Sequence, residues 1–431
     1  MIKLVVATLI LSLVVTAALT GVLLDFIFLY PLFLTFLWII GGLFFYYRIE
    51  RKSPGPDILP ELKEYPLVSL LIPCFNEGDN AAETIGAACN QNWPNLEVIA
   101  INDGSADNTG QVLVELTKQY PQLRVVQLAE NQGKAMAMRM GALAARGEFL
   151  VCIDGDAILH HNATAYLVKP LIDNPRVGAV TGNPRVRTRS TFLGKVQVGE
   201  FSSIVGLIKR AQRIYGHIFT VSGVIASFRR RALHSCGYWD PSMITEDIDI
   251  SWSLQLKHWQ IQYEPNALCW ILMPETIRGL RKQRVRWSQG GAEVFLKNIS
   301  HLWAWRVRRM WMLALDYFLS TSWAYCYLFS VMLWGLGKFM VMPPSLNVPT
   351  LFPPAFWGLA LATVNLFQFV VALTLETRYE PKLPRLLIWM IWYPFFFWLV
   401  SMLSTLEGVP RAFLKRRPTK ALWDSSDRGF R

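Results

Sequence analysis

The stretch Val151-Cys-Ile-Asp-Gly-Asp156 ends an apolar run, Phe149 to Ile153, in two carboxylates one glycine apart. Such a run reads as a buried strand. Alternate residues of an extended chain point the same way, so Asp154 and Asp156 can face one cation. Hard oxygen donors suit Mg²⁺ or Mn²⁺, and such an ion commonly binds a diphosphate as well. Gly155 lets backbone approach closely, as a phosphate-bearing ligand requires. Asp and Gly are equally ordinary turn residues, so the neighbouring segments must decide.

Those segments repeat one pattern. Val68 to Ile72, Leu96 to Ile101 and Leu123 to Leu128 read as strands like the run at Phe149. Helical patterns at Asp79 to Asn90, Thr109 to Tyr120 and Gly133 to Ala145 separate them. Short apolar strands alternating with helices predict an α/β domain with a mostly parallel, Rossmann-like sheet covered on both faces. Ligands bind such sheets outside the carboxyl ends of the strands. The first strand runs out into Cys74-Phe-Asn-Glu77, the second into Asn102-Asp-Gly-Ser105, the fourth into Asp154-Gly-Asp156. Asn76, Glu77, Asp103, Asp154 and Asp156 thus converge on one edge. No Gly-x-Gly-x-x-Gly follows the first strand, against an ordinary dinucleotide-binding domain.

The flanks differ in kind. The 431 residues are 52% hydrophobic with a net charge of +12, and their mean hydropathy of +0.28 exceeds that of most soluble domains. Leu4 to Leu24 and Phe26 to Tyr47 are uncharged runs of bilayer-spanning length, and Arg48, Arg51 and Lys52 mark the cytosolic side. Tyr317 to Gly337, Leu351 to Leu375 and Leu386 to Leu406 make five candidate spans, the last re-entrant or interfacial if Pro394 breaks it. The expected organisation is a transmembrane hairpin over 1–50, a proline-rich linker over 51–66 and a cytosolic domain over 67–296 with a basic interfacial segment near its end. A transmembrane region over 297–410 and a basic tail over 411–431 follow. Six cysteines without metal or Cys-x-x-Cys spacing predict reduced thiols. The positive charge fits anionic lipid, and without a stacking or basic-groove pattern it does not indicate nucleic acid.

Two further segments carry polar groups. Thr245-Glu-Asp247 precedes a helical pattern and reads as an N-cap with acids favoured in the first turn. Gln283-Arg-Val-Arg-Trp287 lies in a basic stretch. It reads either as a helix on the membrane surface or as an arginine clamp for a diphosphate with a tryptophan platform beside it.

Asp103, the Asp154/Asp156 pair, Thr245-Glu-Asp247 and Gln283-Arg-x-Arg-Trp287, in this order, resemble the processive family 2 glycosyltransferases. The resemblance spans Val68 to Trp287 and is strongest to the bacterial branch that makes biofilm poly-N-acetylglucosamine. It implies a GT-A domain between membrane helices and inverting, β-1,6-linked transfer from UDP-N-acetylglucosamine to the non-reducing end of a growing polysaccharide, which passes across the membrane. It implies Asp247 as the general base, and Asp156 as the ligand of Mg²⁺ or Mn²⁺. Asn76, Glu77, Asp103, Asp154, Arg284 and Arg286 would bind the nucleotide-sugar, and Trp287 the acceptor. It further implies a multi-pass enzyme of the bacterial inner membrane, facing the cytoplasm, with a small membrane partner subunit and cyclic di-GMP regulation. Ser288 to Phe295 stands where the family has a gating loop.

The nearest rival is a chitin- or hyaluronan-type synthase of the same family. Enzymes that load one sugar onto a lipid phosphate often share the acids but lack the Gln-Arg-x-Arg-Trp element. A membrane transporter with a nucleotide-binding regulatory domain would show repeats and broken midplane helices, and neither is evident.

Overall fold

The computed structural model describes residues 2–351, 355–390, 393–415 and 421–422. Helices α1 (Ile2–Leu19) and α2 (Leu23–Arg48) come first, and a linker leads to β1 (Val68–Cys74). Then follow α3 (Ala81–Cys89), β2 (Leu96–Asp103), α4 (Thr109–Gln119), β3 (Leu123–Leu128), α5 (Lys134–Ala144) and β4 (Phe149–Ile153). The second half holds β5 (Ile158–Leu159), α6 (Ala163–Asp173), β6 (Val177–Val186), α7 (Phe192–Glu200), a π-helical turn (Phe201–Gly206) and α8 (Leu207–Tyr215). It continues through β7 (Ile225–Arg229), α9 (Arg230–Cys236), α10 (Glu246–Leu256), β8 (Gln260–Ile271) and α11 (Ile277–Asn298). The chain ends in α12 (Trp311–Leu336), α13 (Ala355–Glu376), α14 (Leu387–Met390) and α15 (Tyr393–Leu414).

Eight strands form one sheet in the order β3-β2-β1-β4-β7-β6-β8-β5. Strands β1 and β4 are buried along their whole length because they are apolar on both faces, as expected of strands covered by helices on each side. In the parallel half, Val68 lies opposite both Leu96 and Phe149, so the carboxyl ends of β1, β2 and β4 emerge together. The chain reverses its direction of winding between β1 and β4, and ligands of such sheets bind at that point. Beyond β4 the sheet becomes mixed: β7 is antiparallel to both β4 and β6, and β6 pairs parallel with β8. All six cysteines are free.

Three helices among the described residues are long and apolar enough to cross a membrane: α1, α2 with the turn that follows it, and α13. The five uncharged runs of the sequence do not all reach that standard. Helix α12 is long enough, but Ser320, Thr321, Ser322 and three tyrosines dilute it. Of the last run, α14 and α15 are described, and α15 carries Glu407 and Arg411 and packs along α11. Residues 352–354 and 391–392 of these runs, and Arg416, Arg417 and Lys420 of the basic tail, lie outside the described residues.

Helix α8 ties the sheet to the candidate membrane helices α2 and α13. Gly41 and Gly42 of α2 leave no room for a Cβ against Ala211 and Leu207, so the two backbones nearly touch. On α8, Arg210 is 1% exposed and forks onto Glu50 through Nε and Nη2 at 2.7 and 2.8 Å while Nη1 binds Glu376. Arg185 of β6 binds Glu376 as well, and Arg378 donates to the Glu50 carbonyl at 2.6 Å. A buried charge network therefore joins the ends of α2 and α13 to β6 and α8.

Candidate active site

Loops at the carboxyl ends of β1 and β2 build the first wall. Asn76 sits at φ 55°, a left-handed conformation that asparagine tolerates better than most residues. Its Oδ1 accepts the Ala106 N–H at 2.9 Å, and its own N–H reaches Ser105 Oγ at 3.0 Å. Glu77 is almost fully buried, with its N–H on Thr109 Oγ1 at 2.8 Å. Asp103 is wholly buried. Its carboxylate oxygens accept the N–H groups of Gln132 and Gly133 at 2.8 and 2.9 Å. Burial outweighs those two bonds and raises its pKa. Asp103 thus shapes the turn that starts α5, and Gly133 takes φ 86° there.

That turn delivers a residue the sequence reading passed over. Lys134 Nζ lies 2.5 Å from Asp154 and 3.1 Å from Glu246, and donates to the Gly223 carbonyl at 3.1 Å. Burial opposes its charge, but Asp154, Glu246 and Asp247 together outweigh burial and hold it protonated. Its signal was legible: a Gly-Lys pair between the third strand and a helix puts the amine on the same edge as the acids. Gly155 also meets a packing need. A Cβ there would meet Glu77 Cγ and the Pro73 carbonyl, each at 3.0 Å, so the glycine lets β4 end against the β1 loop.

Asp247 opens α10. Thr245 stands at the cap position but makes no side-chain cap bond, and a Cβ on Gly290 of α11 would overlap it. The N-cap reading of this motif therefore gives way to packing that presses α10 onto α11. Burial, then repulsion from Glu246, pushes the Asp247 pKa up to about 6, although Lys134 and Arg286 oppose the shift. Glu246 moves the other way: Lys134 overcomes the effect of burial and keeps it ionised. A Cβ at Gly223 would come within 3.1 Å of Asp247 Oδ2, so the Ser222–Gly223 backbone forms a shelf under the carboxylate.

Helix α11 supplies the basic wall and is not free on a surface, since it packs against α15 and α10. Arg286 acts electrostatically on both Glu246 and Asp247. Arg284 turns to Glu200 of α7 at 2.7 Å and lies over the Trp287 ring, 4.4 Å from its centroid. Ser288 to Phe295 simply continues α11. Asp156 follows Asp154 at the end of β4, and both carboxylates raise the pKa of the buried Cys269 thiol beyond the effect of burial. Asp154, Glu246 and Asp247 thus gather around Lys134, Arg286 acts on the two acids of α10, and Asp103 holds the N–H of Gly133 just before the lysine. Arg284 and Trp287 form a paired unit at the flank.

Comparison with known proteins decides the family. A family model described as "Glycosyltransferase like family 2" matches residues 66–290. The poly-beta-1,6-N-acetyl-D-glucosamine synthase of Staphylococcus epidermidis is 38% identical over 412 residues, 94% of this chain and 98% of that protein. The chain belongs to glycosyltransferase family 2. A family 2 relative of the same name from Staphylococcus aureus strain COL is 36% identical over the same shares of both chains. Among solved structures, a mannosyltransferase from Pyrobaculum calidifontis, in complex with GDP-Man and Mn²⁺, superposes with a TM-score of 0.61 at 20% identity. It covers 90% of this chain and 99% of its own. The fold of this family 2 glycosyltransferase is therefore GT-A, as the resemblance implied.

Proposed function

We propose that the chain polymerises N-acetylglucosamine from UDP-N-acetylglucosamine into a β-1,6-linked chain by an inverting transfer at the membrane. What supports this reading most is the Lys134 cluster, which brings the strand-end acid Asp154 and the two acids that open α10 to one place at the sheet's switch point. Sustained identity to synthases of that product supports the choice of sugar and linkage.

Asp247 takes the proton of the acceptor hydroxyl as the new bond forms. A pKa near 6 makes it a stronger base than an ordinary aspartate while leaving it ionised at neutral pH. Lys134 and Arg286 face the negative charge that develops on the departing UDP. Arg284 holds Trp287 as a flat surface for the acceptor sugar. Asp103, Asn76 and Glu77 shape the nucleotide side.

Asp156 fits a divalent cation as a hard oxygen donor in the turn after β4, and Asp154, two residues before it, is held by Lys134 at 2.5 Å. When bound, Mg²⁺ or Mn²⁺ neutralises the diphosphate. The reading places the enzyme in the bacterial inner membrane as a multi-pass protein with its catalytic domain in the cytoplasm. The partner subunit and cyclic di-GMP control belong to it through the family resemblance. The test is incorporation of radiolabelled UDP-sugars by purified membranes, followed by linkage-specific digestion. Incorporation of UDP-N-acetylglucosamine into β-1,6-hydrolase-sensitive polymer is the expected result. Preference for another donor, or resistance to that hydrolase, overturns it.

A further inference from the structure

Lys209 is a buried amine that none of the roles above employs. It sits on α8 next to Arg210, 5% exposed, and the two side chains leave the helix toward different partners. Arg210 enters the charge network of the membrane helices. Lys209 Nζ donates to Thr181 Oγ1 of β6 at 2.9 Å. That hydroxyl also accepts the Ser222 N–H at 2.8 Å. Ser222 precedes Gly223, whose backbone lies against Asp247 and whose carbonyl accepts from Lys134. One short chain of contacts therefore runs from α8 through Thr181 to the shelf beneath the catalytic acid.

We propose that Lys209 is a further positioning residue of the transfer reaction: through Thr181 it fixes the Ser222–Gly223 shelf that lies against Asp247. The proposal rests on Asp247 being the base. Glu246 from α10, Lys134 from α5 and Arg286 from α11 are the other charges facing Asp247. Lys209 itself faces Asp247 and the Cys269 thiol of β8, while Glu50 from α2 is taken up by Arg210. Burial lowers the Lys209 pKa to about 7, and attraction to Asp247 offsets part of that shift, so the ammonium is present when the base first ionises. A cation beside a carboxylate favours its ionised form. The same helix is gripped by α2, so membrane anchorage and alignment of the base share one element.

The experiment measures UDP release and radiolabelled polymer from UDP-N-acetylglucosamine between pH 5 and 9, in detergent, for the full-length enzyme. Lys209→Met is expected to lower kcat by about 10²-fold, the scale of a misplaced reacting group, with KM for the donor unchanged. Its acid limb moves to higher pH, because the lost positive charge had held the base ionised. Lys209→Arg restores the position of the limb and part of the rate. Thr181→Val keeps the ammonium and breaks the bridge, so its rate falls while its limb stays; it carries the test if Lys209→Met does not fold. Wild-type kcat in Lys209→Met or Thr181→Val overturns the proposal, as does a rate loss with an unmoved acid limb in Lys209→Met. Asp247→Asn, run in parallel, separates the two ideas. Activity there sinks the base reading, whereas an inactive Asp247→Asn beside an unshifted Lys209→Met sinks only the role of Lys209.

Discussion

Replacing Arg210 with methionine tests whether the buried charge network holds the catalytic domain to the membrane helices. The side chains of Glu50 and Glu376 are 0% exposed, so neither can recover water once its partner is gone. Breaking a buried pair by removing one member costs about 3–5 kcal/mol. Both acids keep something: Tyr379 Oη donates to Glu50 at 2.7 Å, and Arg185 still binds Glu376. The lower end of that range, about 3 kcal/mol, is therefore expected, or a melting point lower by roughly 3–4 °C at about 2.1 cal/mol/K of unfolding entropy per residue. Tryptophan fluorescence of the detergent-solubilised enzyme reads the melt. Combining Arg210→Met with Glu50→Gln removes one of the stranded charges, so the double variant should lose less than the sum of the singles. A melting point within about 1 °C of wild type would refute the network's contribution, since a fully buried pair cannot be that inexpensive to break.

Three predictions concern the cleft. Asp247→Asn should bind UDP-N-acetylglucosamine, measured by calorimetry, yet make no polymer; in wild type the rate should rise with pH through about 6 as the carboxylate ionises. Full polymer synthesis in the variant removes Asp247 from the role of base. Asp156→Ala should lose the heat of Mn²⁺ binding in the presence of UDP together with activity, and metal binding that survives counts against the assignment. Lys134→Met should cut kcat by about 10²–10³-fold, the scale for one lost charge-stabilising donor. Because Lys134 also lowers the Asp247 pKa, the acid limb should shift upward, and an unshifted limb contradicts the cluster geometry.

Where the candidate site lies was legible in the sequence because strand ends are local facts. The apolar runs at Val68, Leu96, Leu123 and Phe149 stop where the structure stops them, to within two residues, and in a parallel sheet those ends meet on one edge. Two readings were incomplete for the same reason. Gly155 and Thr245 each look like local devices, a phosphate approach and a helix cap. In the structure each answers a distant neighbour, Glu77 in one case and Gly290 in the other. Lys134 was passed over although its Gly-Lys setting was visible, because a single lysine at a helix start is common and its carboxylate partners lie far along the chain.

The membrane part was the least legible, and the reason is physical. Length and apolarity identify a span only when the helix faces lipid all round, and here the terminal helices bury faces against one another and against the domain. Helix α12 can afford its serines and tyrosines because Tyr30 of α2 answers Ser320 at 2.6 Å and the main chain and carboxylate of Asp316. Helix α15 tolerates charge because Glu407 meets Arg281 of α11 at 2.8 Å. The coupling of domain to bilayer is more hidden still. Arg210 reaches Glu50 across 160 residues and Glu376 across 166, and nothing in a periodic pattern marks such a pair. Hydrophobic period reports which face of a segment is buried. Which charge waits on the other side is set by the closure of the whole fold, and that is why the acids of the cleft can be read in order along the chain while the arginine that anchors them to the membrane cannot.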